Sequence, residues 1–501
     1  MKNRFTALKL NSELAILYQA VLIITSLILP RCFLYYYGSE VNGLVTSITQ
    51  FLAFVNICDL GISAVVSSAY YKPLAENDVN KISKIFVYSR KFFRTVGMIL
   101  FAYIVFLLAF YPTFINTDFE YWFTFTLIAA MGISQLVQYF IGISYQLLLN
   151  SDQRSYVQLI VNGSTLILNT VASIILMITG ADIRTVKLTT SLIYLLRPIL
   201  MWLYVKKHYT IDFSVTSDSS VVEQKKNGII QHISYMIYEN TDVMVLTFFS
   251  TLENVSVYSI YTMVTGSIKR IINSATTGVQ ALLGNMIANK EDEELFRFYS
   301  FYNWGVHTVS TLLFTVTGLL IVPFVSIYTS DINDADYYAP VFAILITIAY
   351  FFSTVRNCDY VLIRAAGHYK QTQNAALAEA LLNLIISVVC VFKFGLIGVA
   401  IGTAVSTLFF VIYQLVYFSK KIIFLPLKYS AKQIMVDALT SAVGIAAAIN
   451  ISVFENTVIT WLMQAVIVTV LCGAVSVIIQ FVFYKNNILR FTHMLVKKKG
   501  Q

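Results

Sequence analysis

The chain has 501 residues, 57% hydrophobic and only 12% charged, with a formal net charge of +9. Soluble domains are about 45–50% apolar and about 25% charged, so the composition excludes an ordinary soluble protein and a disordered one and implies an integral membrane protein. The basic excess then belongs first to membrane topology and anionic lipid, with no call for nucleic acid.

A helix needs about 20 apolar residues to cross about 30 Å of hydrocarbon. In chain order the apolar runs predict spans at 14–36, 42–66, 92–115, 121–147, 156–179, 187–205, 229–250, 255–286, 299–327, 338–363, 373–392, 396–418, 433–454 and 459–484. The first run lacks a small-residue cleavage site and continues into further runs, so it reads as a transmembrane helix, not a signal peptide. None alternates like a strand, which argues against a β-barrel. The expected class is an all-α integral membrane protein with about fourteen transmembrane helices. Cys32, Cys58, Cys358, Cys390 and Cys472 all fall in apolar stretches without metal-ligand spacing and read as small core hydrophobes.

Lys and Arg alternate between loops. One side of the membrane holds 27 of them, the N-terminus and the Lys497-Lys498-Lys499 tail included; the other side holds Arg184, Lys187 and Lys393. The positive-inside rule therefore places both termini in the cytoplasm.

The sequence repeats at an offset of 214. Leu382-Asn383 falls on Leu168-Asn169, Ser387 on Ser173, and Glu253-Asn254-Val255-Ser256 on Ser39-Glu40-Val41-Asn42. Six spans separate the copies, an even number, so the repeats are parallel, an arrangement used by transporters. The expected layout is an N-lobe of six helices (1–210), a C-lobe of six (211–425), and two additional helices with a basic tail (426–501), with a central cavity between the lobes. There is no G-x-x-x-x-G-K-[ST], HExxH or GxSxG pattern. The reading is a transporter and not an enzyme, with no cofactor and no metal.

Ionisable residues within spans are costly and mark function by default. The cations are Arg31, Arg197, Lys269, Arg270 and Arg356; the acids include Asp59, Glu239, Asp242, Asp359 and Glu379. The repeat offset puts Asp242 about one turn from the level of Arg31, and Arg270 about one turn from the level of Asp59. Two layers of opposite charge lining a hydrated cavity are the functional expectation; a static ion pair is the plainer one. Arg31, Lys269 and Arg270 are the expected substrate-binding cations, and Asp59, Asp242 and Glu379 the acids that could couple transport to a proton or sodium gradient. Arg356 and Asp359, at i,i+3, are expected to pair on one helix face. Arg197 precedes Pro198 and is expected at a kink or reaching for the interface.

The stretches L-I-L-P-R-C-F-L-Y-Y-Y-G-S-E-V-N-G-L-V (27–45), Q-F-L-A-F-V-N-I-C-D-L-G-I (50–62), Y-E-N-T-D-V-M-V-L (238–246) and N-V-S-V-Y-S-I-Y (254–261) resemble bacterial polysaccharide repeat-unit (O-antigen or capsule, Wzx-type) flippases. These belong to the multidrug/oligosaccharidyl-lipid/polysaccharide exporter superfamily. The resemblance implies a flippase of the bacterial cytoplasmic membrane that carries undecaprenyl-diphosphate-linked oligosaccharide to the outer leaflet. It implies two lobes opening alternately around a cavity, cations at Arg31, Lys269 and Arg270 for the diphosphate, and polysaccharide polymerase and chain-length proteins as partners beside membrane lipids. A peptidoglycan-precursor (lipid II) flippase and a cation-coupled multidrug antiporter of the same superfamily are the alternatives. The first run carries Arg31 and no acid after Glu13, which disfavours the antiporter.

Overall fold

The computed structural model describes residues 2–59, 62–115, 119–216, 229–276, 279–423, 426–451 and 457–498, with side chains also omitted for a few of these, among them 2–9, Asp59 and 491–498. Among the described residues every regular element is helical. The chain divides into two compact units, Met1–Ser256 and Val257–Gln501.

The first unit opens with α1 (Lys2–Ala53), two helical stretches that carry the first predicted span and the start of the second and meet at a non-helical residue, Gly38. α1 contains Pro30 and bends at Gly38, whose φ of 81° suits a residue without Cβ. A 3-10 turn, Phe54–Asp59, leads to α2 (Ile62–Glu76). Asp78 caps α3 (Val79–Phe114), accepting from the Lys81 backbone N–H at 3.0 Å. The fourth span is broken by a π-turn at Gln138–Gly142 into α4 (Tyr121–Val137) and α5 (Ile143–Ser151). There follow α6 (Ser155–Ile178), α7 (Ile183–Tyr194), α8 (Leu196–His208), α9 (Ile229–Phe249) and the first turn of α10 (Leu252–Ala275).

On α3, Phe93, Val96, Leu100, Ile104, Leu107 and Tyr111 are buried at helical spacing, while Met98, Phe101, Val105 and Phe106 are exposed. A helix apolar on both its packed and its open face is one whose solvent is lipid. α1 packs on α6 and α9, α4 on α3 and α7, and α2 on α5.

The second unit runs from the rest of α10 through α11 (Val279–Ala288), α12 (Asp292–Tyr328), α13 (Pro340–Ala365), α14 (Tyr369–Phe394), α15 (Leu396–Lys421) and α16 (Leu427–Ala448) to α17 (Val458–Lys498). α14 and α15 approach most closely. A Cβ on Gly398 would lie 2.7 Å from the Val391 nitrogen, and one on Gly402 would lie 2.9 Å from the Ser387 nitrogen. This small-xxx-small spacing lets two backbones touch in a medium with no hydrophobic drive of its own.

The helices fall on the fourteen expected runs. Ten segments among the described residues are long and apolar enough to cross a membrane, and one of these, Leu10–Cys58, covers two runs. The runs below that threshold are α9, α10–α11 and α16. They hold Asp242, Lys269, Arg270 and Asp437. This is a multi-pass membrane protein.

The offset of 214 has structural content. On α6, Ser173 Oγ donates to Asn169 Oδ1 at 3.4 Å; on α14, Ser387 Oγ donates to Asn383 Oδ1 at 3.0 Å. Within the first unit, Asn42 Nδ2 donates to Ser256 Oγ at 2.8 Å, a residue bonded to its own counterpart.

Candidate functional site

The sequence-predicted residues divide between the units. In the first unit, Arg31 is half-buried on α1, one residue beyond Pro30, and Asp242 is buried on α9. Asp59 ends the 3-10 turn, and its side chain lies outside the described residues. Arg197, on α8, is half-buried. Its Nε donates to Thr165 Oγ1 of α6 at 2.8 Å, and its guanidinium lies 3.7 Å from the centre of the Tyr194 ring. It is held in the helix packing, so the expected reach to the interface is replaced by an internal anchor. Cation–π contact and one charged hydrogen bond offset part of its desolvation.

In the second unit, Lys269 on α10 is half-buried with Nζ 5.6 Å from the centre of the Tyr350 ring. Arg270 is exposed and donates from Nη2 to Ser267 Oγ at 3.0 Å.

The second unit also gathers Arg356, Asp359 and Glu379, though not as expected. Arg356 and Asp359 share α13, but they do not pair with each other. Arg356 Nη1 donates to Glu379 Oε1 on α14, with its guanidinium 5.1 Å from the Phe410 ring centre. Asp359 Oδ1 accepts from the Tyr299 hydroxyl on α12, and Tyr299 in turn accepts from Asn303 Nδ2 at 3.2 Å. The reason is economy of buried charge. A local Arg356–Asp359 pair would strand Glu379, which is 4% exposed, as an uncompensated carboxylate in a low-dielectric interior.

The same interior holds two residues outside the sequence-predicted set. His307 Nδ1 on α12 lies 2.5 Å from Asp437 Oδ2 on α16, and Gln433 Nε2 donates to Asp437 Oδ1 at 3.0 Å. The side chains of Asn303, His307, Arg356, Asp359, Gln433 and Asp437 line one small cavity, with about 20 Å³ open to the centres of water molecules. That is room for about one water, not for a sugar or a drug. The signal that points to this pair is an ionisable residue inside each of the runs 299–327 and 433–454. Confining the search to Lys and Arg among cations, and to the repeat-related runs among acids, passes over it.

Among the described residues no group of three or more His, Cys, Asp or Glu is placed to hold a metal ion. The arrangement stores and balances charge; its parts are a guanidinium, three carboxylates and an imidazole.

No protein-family profile and no curated protein matches this sequence. Solved structures do match. The chain is similar to the lipid II flippase MurJ in an inward closed conformation, with 14% identity and a TM-score of 0.69 over 96% of this chain and 99% of that one. It is similar to an inward-facing multidrug resistance MATE family transporter of the MOP superfamily, with 14% identity and a TM-score of 0.59 over 80% of this chain and 94% of that one. A eukaryotic MATE transporter matches at 13% identity and a TM-score of 0.56, over 86% and 99%. The chain therefore has the fold shared by MurJ and the MATE transporters.

Proposed function

We propose that this protein is a flippase that moves undecaprenyl-diphosphate-linked oligosaccharide repeat units from the cytoplasmic to the outer leaflet by alternating access, for surface polysaccharide synthesis. The observation that carries this reading is the extent of the fold match. Likeness to a lipid II flippase runs through 96% of the chain, against 80% for the inward-facing multidrug transporter. A diphosphate and hydrated sugars cannot cross hydrocarbon unaided, and the polyprenyl tail can stay in lipid. Arg31, Lys269 and Arg270 are the groups proposed to hold the diphosphate; Arg supplies paired donors and Lys a point charge. The proposed setting is the bacterial cytoplasmic membrane with both termini inside. Polymerase and chain-length proteins are the proposed partners, and a proton or sodium gradient the proposed drive, through Asp59, Asp242 or Glu379.

Lipid II transport is the second reading, favoured by the same match to MurJ. Cation-coupled drug export is a third, favoured by the MATE matches but opposed by Arg31 in an acid-free first run. Proteoliposomes loaded with fluorescent undecaprenyl-diphosphate oligosaccharide, lipid II or a cationic drug separate the three. The proposal expects the oligosaccharide lipid to translocate and Arg270→Ala or Lys269→Ala to slow it at least tenfold with normal membrane insertion. Translocation of lipid II alone, or of drug alone, overturns it.

A further inference from the structure

Helices α16 and α17 lie outside the repeat, yet α16 carries an acid, Asp437, that is 3% exposed and sits deep in an apolar helix. Its partner His307, 7% exposed, is on α12, a helix of the repeat. Charge arithmetic in this interior is revealing. Arg356 and Glu379 cancel. That leaves Asp359 and Asp437 as two carboxylates facing one imidazole, and the Tyr299 hydroxyl and Gln433 amide donate hydrogen bonds without bringing charge. With His307 neutral, the His307–Asp437 pair carries a net −1 in a dry setting. With one proton added, imidazole becomes imidazolium and the pair becomes neutral. Uncompensated charge is costly in a low-dielectric interior. A second observation points the same way. Gln433 is 1% exposed and lines the cavity, and its Oε1 is buried with no hydrogen-bond partner among the described residues. This unfilled acceptor lines the same cavity as His307, where one water can bridge it to an added N–H.

We propose that the His307–Asp437 pair is a proton-binding site, and that the bound proton clamps α16 to α12. Uptake puts one proton on the imidazole ring nitrogen not facing Asp437 and changes the pair's charge from −1 to 0; release reverses this and weakens the attraction holding the two helices together. The groups facing the pair are Tyr299 on α12, Asp359 and Arg356 on α13 with Glu379 of α14 behind Arg356, and Tyr484 on α17. α15 contributes only the apolar Val411 and Leu415 to the cavity wall. Lys432 is turned away, its Nζ donating to the Phe483 carbonyl at 3.0 Å and lying over the Tyr484 ring. The proton site itself does not depend on the flippase reading; only its use in transport does.

The test uses the full chain in lipid nanodiscs with 15N-histidine, read by NMR across pH 5–9. The His307 signal is assigned by its loss in His307→Gln. The expected result is a titrating His307 whose midpoint falls by about 1–3 pH units in Asp437→Asn, the range for losing an adjacent opposite charge, and is restored in Asp437→Glu. A His307 held in one protonation state throughout the wild-type titration, or a midpoint unmoved by Asp437→Asn, overturns the site; the wild-type titration decides even where the Asn variant fails to fold. Spin labels at the exposed positions Val309 and Met435 test the clamp. Their distance distribution should broaden above the midpoint in wild type and be independent of pH in His307→Gln. A distribution unchanged across the titration overturns the clamp. Neither measurement needs a transport substrate, so failure of the flippase assay leaves both results standing.

Discussion

Thr165 on α6 and Glu379 on α14 occupy the same place in the repeat, four residues before Asn169 and Asn383. Each receives a guanidinium from a neighbouring helix, Arg197 and Arg356 respectively. Each arginine also lies against an aromatic ring, Tyr194 or Phe410. The positions differ in what they offer. A hydroxyl leaves Arg197 with its positive charge intact; a carboxylate cancels that of Arg356. The arginines themselves come from unrelated places in the repeat, since Arg197 matches Val411 and Arg356 matches Gly142 at the offset of 214, so the shared feature is the acceptor's position and not the cation's origin.

The comparison can be broken most severely at Glu379. Glu379→Gln leaves Arg356 buried and uncompensated and should cost about 3–5 kcal/mol, read as a loss of thermal stability in detergent. A double-mutant cycle with Arg356→Met should recover much of that loss. Thr165→Ala should cost less, about 1.5–3 kcal/mol for a hydrogen bond to a charged group. Thr165→Glu sharpens the contrast: it makes the first-unit socket resemble the second, so an Arg197→Met change should become more damaging in its presence than alone. Gly402→Ala should cost about 1–3 kcal/mol by overpacking the α14–α15 contact. Smallest is Ser173→Ala, which removes one neutral bond within a helix, worth about 0.6 kcal/mol by the intramembrane average; Ser387→Ala also removes a 3.5 Å bond to the Val399 carbonyl on α15 and should cost more. Near-equal losses from Glu379→Gln and Thr165→Ala would erase the distinction.

Much of this fold was legible because span length and hydropathy are set by one physical quantity, the thickness of hydrocarbon. The repeat was legible where side chains bond to one another locally, as Asn169–Ser173 and Asn383–Ser387 do. The interruption at Gly38 falls in the gap between the first two predicted spans, 14–36 and 42–66, whereas the π-turn at Gln138–Gly142 depends on packing that periodicity does not encode. Most buried ionisable residues were visible, His307 and Asp437 excepted, but partners were not. Arg356 and Asp359 suggested each other by spacing, yet each turns to a different helix, and His307 finds Asp437 130 residues away. Pairing across helices follows from tertiary charge balance, which a linear reading does not carry.

The near-contact of backbones at Gly398 and Gly402 has a mechanical consequence. With no side chain as spacer, any sliding of α14 past α15 would drive backbone against backbone at these two glycines. α13 packs along α15 as well, so Glu379 on α14, gripping Arg356 of α13, closes a three-helix block in which the ionic contact is a second tie beside the helix packing.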